Sequence, residues 1–127
     1  MLSVLTAQSC RPPIVLLFTD GETFVHEEKR DLEYEFEYVD SDALAVRLVA
    51  HEKAGRYKVT KVILSNPHFP TVLMHVKVDG DPSLLARMRC YALLAPHLEM
   101  GGAGNSARSI DVAGKRCLLA WKGGTSL

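Results

Sequence analysis

Acidic residues crowd into one short region near the start of the chain, where two carboxylates could act as general acid and general base. Hydrolysis of a glycosidic bond needs such a pair about 5 to 9.5 Å apart. Lys29 and Arg30 lie among the acids, so a solvated surface whose charges neutralise each other is the simpler interpretation. The acids are Asp20, Glu22, Glu27, Glu28 and Asp31.

Histidine and cysteine give little support for metal chemistry. The five histidines include no pair at the His-x-x-x-His spacing of a zinc site on a helix. Cys10, Cys90 and Cys117 lie too far apart in sequence for a metal knuckle, and we expect the last two to be buried thiols, although one disulfide pair stays open. We therefore expect no metal and no cofactor.

A glycine-rich loop is the most site-like segment. No lysine follows at the place that a phosphate-binding loop requires, which excludes that function. Glycine would let another backbone or a sugar approach closely, and a flexible hairpin connection is the simpler alternative. The candidate residues for a domain interface or a sugar-proximal loop are His97, Glu99, Gly101, Gly102, Gly104 and Asn105.

Charge and composition exclude several classes of protein. The 127 residues hold 15 lysines and arginines against 15 aspartates and glutamates, so the formal net charge is zero. Binding to a phosphate backbone needs a surplus of cations, and we expect no nucleic-acid partner. The start lacks the pattern of a signal peptide, and no apolar run is long enough to span a membrane. We therefore expect a cytoplasmic protein with no membrane partner.

Most of the chain that carries these candidate residues is predicted to form strands. In residues 32–38, glutamates at 33, 35 and 37 alternate with Leu32, Tyr34, Phe36 and Tyr38, which predicts a strand with one wet face and one core face. Turn residues separate further strands at short, regular intervals. These strands are predicted over residues 14–18, 22–27, 44–51, 57–64, 71–78, 109–112 and 116–121, and residues 113–115 are predicted to be the hairpin turn between the last two.

One segment has features of both a helix and a strand. Residues 81–95 read as a helix by propensity, with Asp81 as cap and Pro82 in the first turn, yet Arg87 and Arg89 alternate with Met88 and Cys90 as in a strand.

Residues 121–127 resemble a hairpin whose second arm has barely begun. An open strand edge there would suit a fragment, or an assembly in which another chain supplies the missing strand.

Several motifs together resemble bacterial glycoside hydrolase family 15, the glucoamylase and glucodextranase-like proteins. The likeness covers residues 16–127. Its motifs lie at residues 19–24, 26–32, 91–98, 101–106 and 112–122. The resemblance implies an all-β, antiparallel β-sandwich of the supersandwich, galactose mutarotase-like type. Residues 14–127 would form part of that amino-terminal domain after a divergent or poorly ordered lead-in over 1–13. It also makes residues 85–95 a strand, with 81–84 as the turn before it.

The same resemblance implies that the reacting groups lie elsewhere. In this family a separate catalytic (α/α)₆ barrel supplies the general acid and general base, and no part of this sequence matches it. We therefore expect no catalytic residue here, an inactive isolated chain, and a barrel in the same or a neighbouring chain as partner. Ala103 stands where many relatives have tryptophan.

Two alternatives stay open. One is a carbohydrate-binding module, although Trp121, the only tryptophan, is expected to be buried rather than displayed to a sugar. The other is a homo-oligomer that forms through open strand edges.

Overall fold

The computed structural model describes residues 5–6, 14–39, 42, 45–69, 71–99 and 103–126. Eleven strands and two short helices occur among them. In chain order they are β1 (Leu5–Thr6), β2 (Ile14–Thr19), β3 (Val25–Glu27), α1 (Glu28–Asp31), β4 (Leu32–Tyr38), β5 (Ala45–Glu52), β6 (Tyr57–Ser65), β7 (Thr71–Gly80), α2 (Pro82–Leu85), β8 (Arg89–Leu94), β9 (Ser106–Val112), β10 (Lys115–Lys122) and β11 (Thr125–Ser126).

The expectation of a poorly ordered lead-in over residues 1–13 lies outside the described residues, apart from β1, which pairs with the start of β7. Each helix has four residues, and none in the described ranges could cross a membrane.

The largest sheet has five antiparallel strands in the order β1-β7-β6-β5-β4. Its register places Phe36 opposite Leu48, Leu48 opposite Lys61, and Lys61 opposite Val76. Because side chains alternate between the two faces of a strand, one face is mainly apolar and the other carries the glutamates of β4. The predicted alternation of β4 is confirmed.

A second sheet, in the order β3-β2-β8, covers part of that apolar face. Leu16 and Phe18 of β2 are buried against Ala50, Val59 and other residues of the large sheet. The antiparallel sandwich predicted from the sequence is therefore confirmed. The core cluster consists of Leu16, Phe18, Leu32, Ala50, Tyr57, Val59 and Leu84.

The second sheet leaves one end of the large sheet uncovered. Of the four apolar side chains of β4, only Leu32 is buried, while Tyr34, Phe36 and Tyr38 are 41%, 56% and 72% exposed. They share one face, as the alternation predicts, but the prediction that all four enter a core is wrong for these three. Alternation sets the face of a residue, and only the packing of another layer decides whether that face is buried.

The ambiguous segment after β7 contains both structures. Asp81 caps α2 by accepting hydrogen bonds from the backbone N–H groups of Ser83 and Leu84, and Pro82 occupies the first turn. The strand β8 starts only at Arg89 and pairs with β2. The helix prediction is therefore right for one turn and wrong beyond it. The strand implied by the resemblance begins later than residue 85.

The third sheet, β11-β10-β9, contains the two hairpins predicted near the end of the chain. Ala113 and Gly114 both have positive φ, 49° and 75°, as a two-residue type I′ turn requires. The second arm of the last hairpin is β11, which pairs with Trp121 and Lys122 of β10.

Candidate functional site

The loop between β8 and β9 is built by contacts with its own ends and with β10. Asn105 Nδ2 donates a hydrogen bond to the Pro96 carbonyl at 2.5 Å, and Lys122 Nζ donates to the Ala103 carbonyl at 2.9 Å. Leu98 is buried, which anchors the middle of the loop. The Lys122 bond fastens the second half of the loop to β10, and the Asn105 bond ties the two ends of the loop together.

The predicted loop residues have different positions. His97 is exposed, and Glu99 has a left-handed backbone (φ 49°) with its carboxylate against Gly123, where a Cβ atom would collide with it. Gly104 has φ 73°, which fits its place in a turn. Gly101 and Gly102 lie outside the described residues. The described part of the loop therefore brings Glu99 to the hairpin and holds Asn105 against Pro96, but it assembles no pair of acids.

The sequence predicted that the acidic residues near the start of the chain form one solvated, self-neutralising surface. Arg30 does pair with Glu27 and Asp31 there, but Glu28 does not belong to that surface. Asp20 closes its own turn by accepting hydrogen bonds from the backbone N–H groups of Glu22 and Thr23, and the Thr23 hydroxyl lowers the pKa of this carboxyl. Asp31 is held by Arg30 and by the Glu27 N–H, which lower its pKa to about 2. Glu28 differs from both because it is buried.

Glu28 forms an ion pair with Lys61 inside the sandwich. The side chains are 1% and 10% exposed. The Leu16 N–H also donates to Glu28 Oε2 at 3.4 Å, and Lys61 Nζ lies 5.6 Å from the centre of the Tyr34 ring. Burial and the adjacent Glu28 carboxylate raise the pKa of Tyr34. The pair joins the second sheet to the large sheet and is closed to a substrate.

Sequence reasoning missed this pair, although one signal was present. Lys61 follows Tyr57 and Val59 at two-residue spacing, so it occupies an apolar-phase position of β6. A lysine at such a position needs either solvent at the strand end or a buried partner. Nothing in the local pattern of α1 identified Glu28 as that partner.

Histidine and cysteine have structural or peripheral positions. His26 Nδ1 lies 2.9 Å from the Tyr57 hydroxyl, and its ring is tilted against that of Phe24, with ring centres 4.5 Å apart. The prediction of buried thiols is wrong, because Cys90 and Cys117 are both exposed. Cys90 lies on β8, at the edge of the second sheet, where fewer neighbours cover a side chain. Within the described ranges, no three metal-ligating side chains come together.

The outer face of the second sheet carries an apolar surface, which we call the outer apolar patch. In β2 and β8 the register pairs Leu17 with Tyr91 and Val15 with Leu93, on the face opposite Leu16 and Phe18. Val25, Leu93 and Tyr91 are 61%, 50% and 47% exposed. This sheet is thus apolar on both faces. The patch consists of Val15, Leu17, Val25, Tyr91 and Leu93.

Comparisons with known proteins agree on one family. Residues 9–127 match the family described as Glucodextranase, domain N. A glucoamylase of Clostridium sp. (strain G0005) is 27% identical over 107 residues, which are 84% of this chain and 15% of that protein. The crystal structure of a bacterial glucoamylase complexed with acarbose matches 86% of this chain and 16% of its own, with a TM-score of 0.80 and 27% identity.

The chain thus spans about one-sixth of the length of these relatives. The structural match covers the same antiparallel sandwich described above. The family match extends over nearly all of the sequence, including the loop and both hairpins of the third sheet. This chain therefore belongs to the glucodextranase N-domain family, the amino-terminal domain of glucoamylase-like proteins.

Proposed function

We propose that this chain is a non-catalytic structural domain that supports the catalytic part of a glucoamylase-like hydrolase acting on α-glucans. The partner is a catalytic (α/α)₆ barrel in the same or a neighbouring chain. The domain packs on that partner and holds the loop from His97 to Asn105 beside it. The observation that carries this proposal is the outer apolar patch.

A sheet whose two faces are both apolar favours cover on both sides. The core already occupies the face with Leu16 and Phe18, so the outer apolar patch is the surface left for a partner. Contiguous exposed apolar surface on a soluble protein marks an interface more often than scattered single residues do. Glu27 and Arg89 flank the patch on the same face of their strands and could supply its polar rim.

The arrangement of the described acids supports a role without catalysis. Asp20 and Asp31 accept hydrogen bonds inside their own turns, and Glu28 is neutralised by Lys61. The glutamates of β4 point away from the core along a single strand face. Inverting or retaining hydrolysis needs two carboxylates that flank the scissile bond of a bound sugar, and Asp20, Asp31 and Glu28 are already engaged by other groups of the domain.

An assay of the purified chain on maltooligosaccharides tests the proposal. We expect no release of glucose above a protein-free control, while the Clostridium glucoamylase is active under the same conditions. Turnover that co-purifies with the chain through successive columns would overturn the proposal.

Calorimetric titration with maltoheptaose separates the structural role from a carbohydrate-binding role. We expect no saturable heat, because Trp121 is partly covered by Arg108, whose guanidinium carbon lies 5.7 Å from the ring centre. Sugar modules usually offer an open aromatic face for stacking. Saturable binding would favour the carbohydrate-binding alternative.

A further inference from the structure

Among the described residues, the strand β4 stands at the end of the large sheet with no strand on its outer side. In the strand order of the described residues, β5 is its one neighbour. An edge strand presents a row of unpaired N–H and C=O groups on its outer side, which can accept another strand. This edge belongs to a different sheet from the outer apolar patch, so it is independent of the function proposed above.

The two faces of β4 carry opposite kinds of side chain. Tyr34, Phe36 and Tyr38 form an exposed aromatic row, and the rings of Phe36 and Tyr38 meet edge to face with centroids 5.1 Å apart. The other face carries Glu33, Glu35 and Glu37. Any added strand must therefore match an apolar row on one face and an acidic row on the other.

The acidic row is incompletely neutralised by β5. The residues directly opposite are His51, Val49 and Arg47. Arg47 Nη1 lies 2.5 Å from Glu37 Oε1, whereas His51 Nε2 is 4.0 Å from Glu35 Oε2. The cross-strand partners thus supply one permanent cation against three carboxylates, which leaves an excess of negative charge at the free edge.

This charge pattern disfavours a second copy of the chain at the same edge. If two β4 strands paired antiparallel with their aromatic rows on one face, glutamates would lie opposite glutamates in every such register. Like charges directly opposite each other destabilise a strand pair. A shift by one residue would instead move the aromatic row of one strand to the acidic face of the other.

We propose that the β4 edge receives an added β-strand from another polypeptide segment in which lysine or arginine alternates with apolar residues. The basic side chains would lie against the acidic row, and the apolar side chains would extend the surface of Phe36 and Tyr38. Backbone hydrogen bonds supply affinity in this mode, and alternate side chains supply specificity. The occupant is therefore defined by its alternation and its charge.

Two synthetic peptides provide the test, each seven residues long to match β4. One alternates lysine with valine and the other alternates glutamate with valine. Binding to the full chain is followed by the fluorescence anisotropy of a labelled peptide at low ionic strength. We expect the basic peptide to bind about tenfold more tightly or better than the acidic one. It should also slow amide hydrogen exchange in β4.

Matched variants locate the binding. Phe36→Ser should weaken the basic peptide several-fold, whereas Phe69→Ser should not, since Phe69 is 67% exposed in the turn between β6 and β7. Changing Glu33, Glu35 and Glu37 to lysine together should invert the preference between the peptides. Circular dichroism is used to check that each variant is folded. If Phe36→Ser does not fold, Tyr38→Ser takes its place, because Tyr38 is 72% exposed.

Three results would overturn the proposal. The first is equal affinity for both peptides, which would show that charge does not select the strand. The second is unchanged affinity in both Phe36→Ser and Tyr38→Ser. The third is a dimer in analytical ultracentrifugation that the glutamate-to-lysine variant abolishes, because a second copy would then occupy the edge.

Discussion

The buried pair of Glu28 and Lys61 links two layers of the protein through single side chains. Glu28 belongs to the short helix beside the second sheet, and Lys61 reaches it from the middle strand of the large sheet. Removing charges from water is costly, so the pair makes a small net contribution while each partner depends strongly on the other. The effect of the pair on the free energy of unfolding is therefore large only when one of the two side chains is replaced and the other stays buried.

Lys61→Met should destabilise the protein by about 3–5 kcal/mol, because it leaves the Glu28 carboxylate buried without its counter-charge. The measurement is the free energy of unfolding in urea at neutral pH. Lys58→Met, an exposed position on the same strand, should change it by about 0.5 kcal/mol or less. The double variant Glu28→Leu/Lys61→Met should recover much of the loss. An equal effect of the two lysine variants would contradict this account.

Asp31 makes stability depend on pH. Its pKa is about 2 in the folded protein against the ordinary 3.8, chiefly because Arg30 donates to it and also because the Glu27 N–H does. A lowered pKa stabilises the folded state above about pH 4, and this contribution is lost as pH falls through the folded value. The affected window therefore runs from about pH 4 down to about pH 2.

We expect Asp31→Asn to reduce the difference between the urea midpoints measured at about pH 5 and about pH 2.5. Arg30→Gln should act in the same direction, because it removes the main cause of the shift. Lys29→Gln, at the exposed neighbouring position, serves as control and should keep the parent behaviour. Parent-like pH dependence in Asp31→Asn would show that other groups govern the acid transition.

At the scale of elements, the end of β7 passes unusually close to the start of β6. Gly80 lies opposite Tyr57, and a Cβ atom on it would be 2.6 Å from the Arg56 carbonyl oxygen and 2.7 Å from Tyr57 Cβ. The Asp81 N–H also donates to that carbonyl at 3.3 Å. The close approach places α2 directly after β7, where its Leu84 enters the core.

Gly80→Ala should therefore destabilise the protein by about 1–3 kcal/mol, as overpacking of an ordered site does. Gly124→Ala is the matched control, since no atom lies within 4 Å of a Cβ built there. Thermal unfolding followed by circular dichroism compares the two. A Gly80→Ala protein as stable as the control would mean that β6 and β7 move apart at little cost.

At the scale of the whole molecule, the sandwich presents apolar surface in two places. The outer apolar patch lies on the second sheet, and the aromatic row lies on the uncovered end of the large sheet. We propose that the catalytic partner covers the first, and that an added strand pairs with the β4 edge and extends the second. The two assignments are independent and can fail separately.

The outer apolar patch should be needed for association with the rest of a glucoamylase. The Clostridium glucoamylase expressed without its matching segment, and shown to be folded by circular dichroism, is the test partner. We expect the tagged chain and its Leu118→Ser variant to co-elute with it in gel filtration, and Leu93→Ser not to. Leu118 is a fair control because it is 72% exposed and lies opposite Ser109 in the third sheet. Co-elution of both variants would place the interface elsewhere.

Features that depend only on neighbouring residues could be predicted from the amino-acid sequence. Alternation in β4, the turn at Ala113 and Gly114, and the cap at Asp81 all follow from side-chain spacing or local backbone preference, and each is present in the structure. The turn at Gly104, in the candidate loop, could also be predicted from local backbone preference. The family also follows from sequence, because its motifs extend along most of the chain.

Which strand faces are covered depends on how the sheets pack, and this could not be predicted from local sequence. Glu28 and Lys61 are far apart in the chain, and neither local pattern contains the other, so their burial depends on the packing of two sheets. The same packing stops short of Phe36 and Tyr38 and leaves Cys90 exposed at a sheet edge. Periodicity assigns a side chain to a face, but burial depends on whether another layer lies over it.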